Sequence, residues 1–274
     1  MQVARRLFQR EAWPQRGAAG NLGLTRCSST FPEDDAEDTA MHKVVVLGGN
    51  GFVGQRVCQA ALSFGAEVVS VNRSGPPKSS EWADRVRWVT GDIFNRSDYE
   101  EELAEATGAV SCVGAFGSNE FMERVCGDAT VVAAGAAAEA GVEHFSFISA
   151  AGVQHPSHVL LRGYWAGKKK AEDELLGRFP DGAVILRASG IYGDRDVGGV
   201  KLPLWVVMKP AEQASKERHH SSALMLRNAG PLEAVFTPPV SVENVGKVAA
   251  AGALGLVPPG ILSVEDINHQ AARL

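Results

Sequence analysis

The chain has 274 residues, 45% of them apolar and 22% charged, with a net charge of −5. That is enough length and apolar content for one large globular domain, and the acidic balance argues against a nucleic-acid surface. No stretch supplies the roughly 18 apolar residues of a membrane-spanning helix, so at most peripheral attachment to an inner-membrane face is expected.

The first thirty residues contain Arg5, Arg6, Arg10, Arg16 and Arg26 against the single acid Glu11. Val3, Leu7 and Phe8 would share one helical face, with Arg5, Arg6 and Arg10 marking the other. An Arg-rich, acid-poor, amphipathic start reads as a mitochondrial presequence, with a plastid leader or a disordered basic tail as alternatives. Residues 33–38 form a short acidic linker. The expected organisation is therefore a leader and linker over residues 1–40 and one folded domain over 41–274, on the matrix side if the organelle is the mitochondrion.

Residues 43–47 are a continuous apolar run, as in a strand buried on both faces. A glycine turn follows at once. A helix then opens with Val53, Val57 and Ala61 at four-residue spacing, and Gly65 is placed to end it. Further strands are expected over 67–71, 86–90, 108–113, 144–148 and 183–187. Helices are expected between them over 97–106 (with Ser97 as N-cap), 121–140 and 164–176. Six strands alternating with helices predict an α/β fold, a Rossmann-type doubly wound parallel sheet. Residues 194–240 are rich in Gly, Pro and polar residues and predict loops with a small C-terminal cap. Ser241 then caps another helix, with Glu243 in its first turn.

Gly48-x-x-Gly51-x-x-Gly54 lies between a buried strand and a helix, the context that dinucleotide binding requires. Gly48 permits the tight turn, Gly51 lets the backbone approach a pyrophosphate, and Gly54 allows close helix–strand packing. The intervening Asn50, Phe52 and Val53 bring the helix N-terminus, with its partial positive charge, to the phosphates. The second strand ends in Val71-Asn72-Arg73-Ser74, without the acid that NAD binders place there for the ribose hydroxyls. Arg73 can instead pair with a 2′-phosphate, which favours NADP(H) over NAD(H). After the third strand, Asp92 is placed to accept from an adenine amino group, with Ile93 beside it; a turn-capping Asp is the alternative. Val113-Gly114-Ala115 ends the fourth strand with small residues that admit a cofactor.

Tyr164 and Lys168 are four residues apart and so share one helical face. An ammonium close to a phenol lowers its pKa from about 10, so this pair is the catalytic candidate for proton exchange with a substrate oxygen. Lys168 can also bond a nicotinamide ribose. Cys27, Cys58, Cys112 and Cys126 show neither metal-ligand spacing nor a disulfide framework. His219-His220 and Lys168-Lys169-Lys170 read as solvated faces.

Together with Leu186-Arg187-x-x-x-Ile191-Tyr192-Gly193, these motifs make residues 43–266 resemble the short-chain dehydrogenase/reductase (SDR) superfamily. The run Leu47 to Gly54, Val71 to Gly75 and Pro239 to Val245 resemble its atypical branch, which contains the NADPH-binding accessory subunit of respiratory complex I and the fungal mitochondrial ubiquinone-biosynthesis protein. The resemblance implies a mitochondrial partner assembly concerned with quinone synthesis or respiration. Two departures stand out. Ala150 occupies the place of the family's usual catalytic Ser or Thr, with Ser149 one position off and facing away, and Arg187-Ala188 replaces Arg-Pro. Two functions stay open: an NADP(H)-bound protein whose cofactor is largely structural, or an active NADP-dependent reductase of a carbonyl or quinone-related substrate. An isomerase or epimerase is a third, less favoured by so small a cap.

Overall fold

The computed structural model describes residues 42–77, 81–153, 161–197, 200–203 and 237–274. The leader and linker expected over residues 1–40 lie outside the described residues, as do His219 and His220.

Strands β1 (Lys43–Leu47), β2 (Glu67–Asn72), β3 (Val86–Thr90), β4 (Gly108–Ser111), β5 (His144–Ala150) and β6 (Ala183–Ala188) run parallel. Between them lie α1 (Phe52–Ser63), α2 (Glu100–Leu103), α3 (Asn119–Glu123), α4 (Ala129–Glu139) and α5 (Arg162–Arg178). Four short strands follow: β7 (Ile191–Tyr192), β8 (Asp194–Val197), β9 (Val200–Pro203) and β10 (Val240–Ser241). The chain ends with α6 (Val242–Ala253), β11 (Gly260–Leu262) and α7 (Val264–Arg273).

The main sheet has seven strands in the order β11-β6-β5-β4-β1-β2-β3. Val44, Val45, Val46 and Leu47 are all buried, because helices cover both faces of β1. Alternate residues explain how. Val45, Leu47, Val69, Phe145, Phe147 and Ile185 share one core with Leu103, Ala133, Ala171 and Leu175 of α2, α4 and α5. On the other face, Gly49 abuts Ser70 and Cys58 of α1, and Gly252 of α6 abuts Ser146 and Val184. The doubly wound parallel sheet is thus as expected. From β1 the chain winds one way through β2 and β3, then crosses back to β4 and winds the other way. The crevice beyond the carboxyl ends of β1 and β4 is the topological switch point, where such sheets bind ligands.

Several boundaries differ from expectation, each for a local reason. The seventh strand, β11, is three residues long, follows Pro258 and Pro259, and has no apolar run to announce it. No long helix fills 97–106. Asp98 instead braces the loop before it, accepting from the Asp92 N–H at 2.8 Å and from Asn95 Nδ2 at 2.6 Å. The Ser97 hydroxyl donates to Asn95 at 2.9 Å rather than capping a helix, and Glu105, at φ 63°, lies just beyond the single turn of α2. The helix expected over 121–140 starts at α3, capped by Ser118, and passes through a π-turn at Arg124–Asp128 before continuing as α4. Strand β4 stops at Ser111, and β5 runs on to Ala150. Ser241 caps α6 as expected, its Oγ accepting from the Asn244 N–H at 3.1 Å. Of the cap region, the described part is the antiparallel β8–β9 hairpin and the parallel β7–β10 pair; residues 204–236 lie outside the described residues.

Candidate functional site

The glycine turn connects β1 to α1. Gly48 sits at φ 84° and donates its N–H to the Val71 carbonyl at 2.8 Å, which folds the turn back across the sheet. A side chain at Gly54 would collide with the Gly48 carbonyl and reach 2.7 Å from the Gly49 Cα, so the helix can lie this close only with glycine there. Gly49, to which sequence reasoning assigned no role, is equally constrained, since a Cβ would come within 2.8 Å of Ser70 Cβ. At Gly51 a Cβ would meet only the Gly48 carbonyl, at 3.1 Å, so its crevice side is open for a ligand's approach. Gly51 also caps α1, whose start has no side-chain cap and no acid in its first turn, where Val53 lies. That leaves a helix N-terminus suited to an anion. A phosphate-bearing ligand fits this cradle.

The exit of β2 is tied to the glycine turn. Asn50 Nδ2 donates to Ser74 Oγ at 3.1 Å and to the Gly75 carbonyl at 2.9 Å. Asn72 Oδ1 accepts from the Ser74 N–H at 3.0 Å. Arg73, between them, is exposed, and among the described residues no carboxylate pairs with it.

A cavity of about 500 Å³ opens over these strand ends. Of the residues expected to bind cofactor, Gly48, Asn50, Gly51, Arg73, Asp92 and Ile93 line it. Phe52, Val53, Gly54, Tyr164 and Lys168 do not; Phe52 lies towards Gly193 and Gly54 beneath the turn. Asp92 Oδ1 accepts from the Phe94 N–H at 3.0 Å, so the turn-capping alternative is realised while the residue still faces the cavity. Sequence reasoning missed Phe94, Phe121, Arg124 and Val125, which also line it. Arg124 and Val125 belong to a π-turn, which helical spacing alone does not announce.

Tyr164 and Lys168 do share a face of α5, but they do not form the expected pair. Lys168 Nζ donates to the Ile148 carbonyl at 2.7 Å, lies 4.6 Å above the Phe147 ring and is 5.9 Å from the Tyr164 ring centroid. Burial draws the Lys168 pKa down. Tyr164 stacks on Phe116 with centroids 5.4 Å apart. Burial, with a smaller contribution from Cys126, pushes its phenol up to about 12. The expected fall towards neutrality is therefore corrected: the ammonium serves a backbone carbonyl, and desolvation of the phenolate raises the phenol's pKa. Both residues are set by glycines. Gly163 and Gly167 let α5 pack directly on the backbone of Asn119, Glu123 and Gly127. Lys168 meets the cavity wall at Gly114, where a Cβ would lie 3.8 Å from its Nζ.

Strand β5 ends in Ser149 and Ala150, which point to opposite faces. The Ser149 hydroxyl donates to Glu172 Oε1 at 2.5 Å, on α5 four residues beyond Lys168. Glu172 is 1% exposed and is held by Arg187 through Nη2–Oε2 at 2.6 Å and Nε–Oε1 at 3.1 Å.

The sequence profile of the NAD(P)H-binding family matches residues 48–201, from the glycine turn through the β8–β9 hairpin. The chain belongs to this family. It is 40% identical over 255 residues to an uncharacterized chloroplastic protein of Arabidopsis thaliana, covering 92% of this chain and 85% of that one. It is 30% identical over 156 residues to the mitochondrial protein FMP52-2 of Scheffersomyces stipitis, covering 55% of this chain and 67% of that one. Among solved structures, the Bordetella bronchiseptica enzyme WbmG in complex with NAD superposes with a TM-score of 0.56 at 15% identity. That match covers 86% of this chain and 78% of WbmG. Such likeness shows the fold, a Rossmann-type parallel sheet flanked by helices.

Proposed function

We propose that this chain holds NADP(H) as a largely structural cofactor within an organellar protein assembly that serves quinone synthesis or respiration. Gly48, Gly51 and the start of α1 would hold the pyrophosphate, Asp92 and Ile93 the adenosine, and Arg73 the 2′-phosphate. The observation that carries a structural role is the end of β5: Ala150 offers a methyl group where a hydroxyl would hold a carbonyl, and Ser149 is committed to Glu172. A substrate oxygen would then lack its second hydrogen-bond donor.

The Arg-rich start favours mitochondria, as do the mitochondrial name of FMP52-2 and a 45% identity over 84 residues to the MIOREX complex component 2 of Saccharomyces cerevisiae, 28% of this chain and 30% of that one. The Arabidopsis relative favours a plastid as the alternative. The resemblance to the complex I accessory subunit and the ubiquinone-biosynthesis protein supplies the assembly and its quinone connection. No helix among the described residues is long and apolar enough to cross a membrane, so attachment is proposed as peripheral.

The second reading is an NADP-dependent reductase, favoured by a protonated Tyr164 on the same face as Lys168. Nicotinamide, when bound, would supply the hydride, and Tyr164 would donate the proton. Complementation of a strain lacking the chain separates the two. Under the structural reading, Tyr164→Phe restores growth, whereas Gly51→Val, whose side chain occupies the pyrophosphate's approach, does not. Failure of Tyr164→Phe to complement, with folding and cofactor affinity unchanged, establishes the reductase; a loss of about a hundredfold or more in turnover is then expected.

A further inference from the structure

Two arginines line the cavity, and Arg73 accounts for only one of them. The other, Arg124, is the first residue of the π-turn that interrupts the α3–α4 helix. Its guanidinium lies 4.6 Å over the centroid of the Phe94 ring, joining the helix to the loop after β3. That loop is rigidly braced. Asp92 Oδ1 accepts from the Phe94 N–H at 3.0 Å, Asp98 Oδ2 accepts from the Asp92 N–H at 2.8 Å, and the Tyr99 hydroxyl donates to the Ile93 carbonyl at 2.9 Å. Phe94 is thus a fixed platform. A guanidinium already held over it loses less further freedom when its N–H groups engage a ligand.

We propose that Arg124, held over the Phe94 ring, is the residue that recognises the adenine base of the dinucleotide. This rests on the NAD(P)H reading of the cavity. Arg124 and Phe94 belong to the cavity wall formed with Asp92 and Ile93 at the exit of β3, beyond β2 in the sheet order. The Lys168 ammonium lies on the other side, bonded to Ile148 of β5. A guanidinium has only donors, and adenine offers ring-nitrogen acceptors and a π face to it. Arg124 therefore complements Asp92, which can only accept. It acts on the base common to both cofactors, while Arg73 acts on the group that distinguishes them.

Along the π-turn, Gly127 packs on the Gly167 backbone and Cys126 is buried, while Arg124 and Val125 line the cavity. Arg124 is itself exposed, so its replacement leaves the core intact.

Calorimetric titration of the full chain with NADPH, NADH, AMP and reduced nicotinamide mononucleotide tests the assignment, using Arg124→Ala, Arg124→Lys and Phe94→Leu. Arg124→Ala should weaken NADPH, NADH and AMP alike, by roughly three- to tenfold, and leave the mononucleotide unchanged. Arg124→Lys, which keeps the charge and loses the plane, should recover only part of the loss, and Phe94→Leu should resemble Arg124→Ala. A loss confined to NADPH would move Arg124 to the 2′-phosphate and overturn the proposal, as would unchanged affinities. Failure of the unaltered chain to bind either dinucleotide would sink the cofactor reading itself, and this inference with it.

Discussion

Tyr164 carries the clearest chemical signal in the sequence, and its surroundings alter what that signal means. A phenol four residues from a lysine suggests a proton donor with its pKa pulled down. Here burial, with a smaller contribution from Cys126, pushes it up to about 12, and the Lys168 ammonium bonds the Ile148 carbonyl. Its value in the unfolded chain is about 10. The stability this phenol contributes is therefore present below pH 10 and is lost as pH rises from 10 towards 12. Tyrosinate absorbance of the native protein and of Tyr164→Phe should accordingly coincide through pH 10 and separate only above it. A tyrosinate band at pH 8–9 that Tyr164→Phe removes would restore the activated phenolate. The residue types of the pair were legible in the sequence. The direction of the shift was not, because it depends on how deeply the folded chain buries the phenol and on Cys126 beside it.

Elements show the same division. Strand β1 and strand β3 have the expected bounds, since each is a short run rich in β-branched or aromatic residues beside turn residues. The π-turn at Arg124–Asp128 and the three-residue β11 leave no such pattern, and the first of these shapes the cavity. Ser149 and Glu172 show a further kind of contact hidden from sequence. The buried carboxylate of α5 ties β5 and β6 together through Ser149 and the largely buried Arg187. Removing one member of a buried ion pair strands the other. Glu172→Ala should therefore cost about 3 kcal/mol or more of unfolding free energy, measurable by urea denaturation. A change below about 0.5 kcal/mol, the scale of an ordinary surface substitution, would contradict the buried role.

At the scale of the whole molecule, strand order converts scattered motifs into one crevice. The glycine turn, the β2 exit and the β3 exit are far apart in sequence, yet Gly51, Arg73 and Asp92 line one cavity because β1, β2 and β3 lie side by side. This much could be read in advance from strand–turn–helix alternation, and family membership agrees with it. The central claim is that this crevice is built for NADP(H), and paired fluorescence titrations of the purified chain with NADPH and NADH test it most directly. Arg73 carries a positive charge at the β2 exit that no carboxylate among the described residues pairs, so NADPH should bind the more tightly, and Arg73→Glu should reverse the order by repelling the 2′-phosphate. Equal affinities, or tighter binding of NADH by the unaltered chain, would contradict the account.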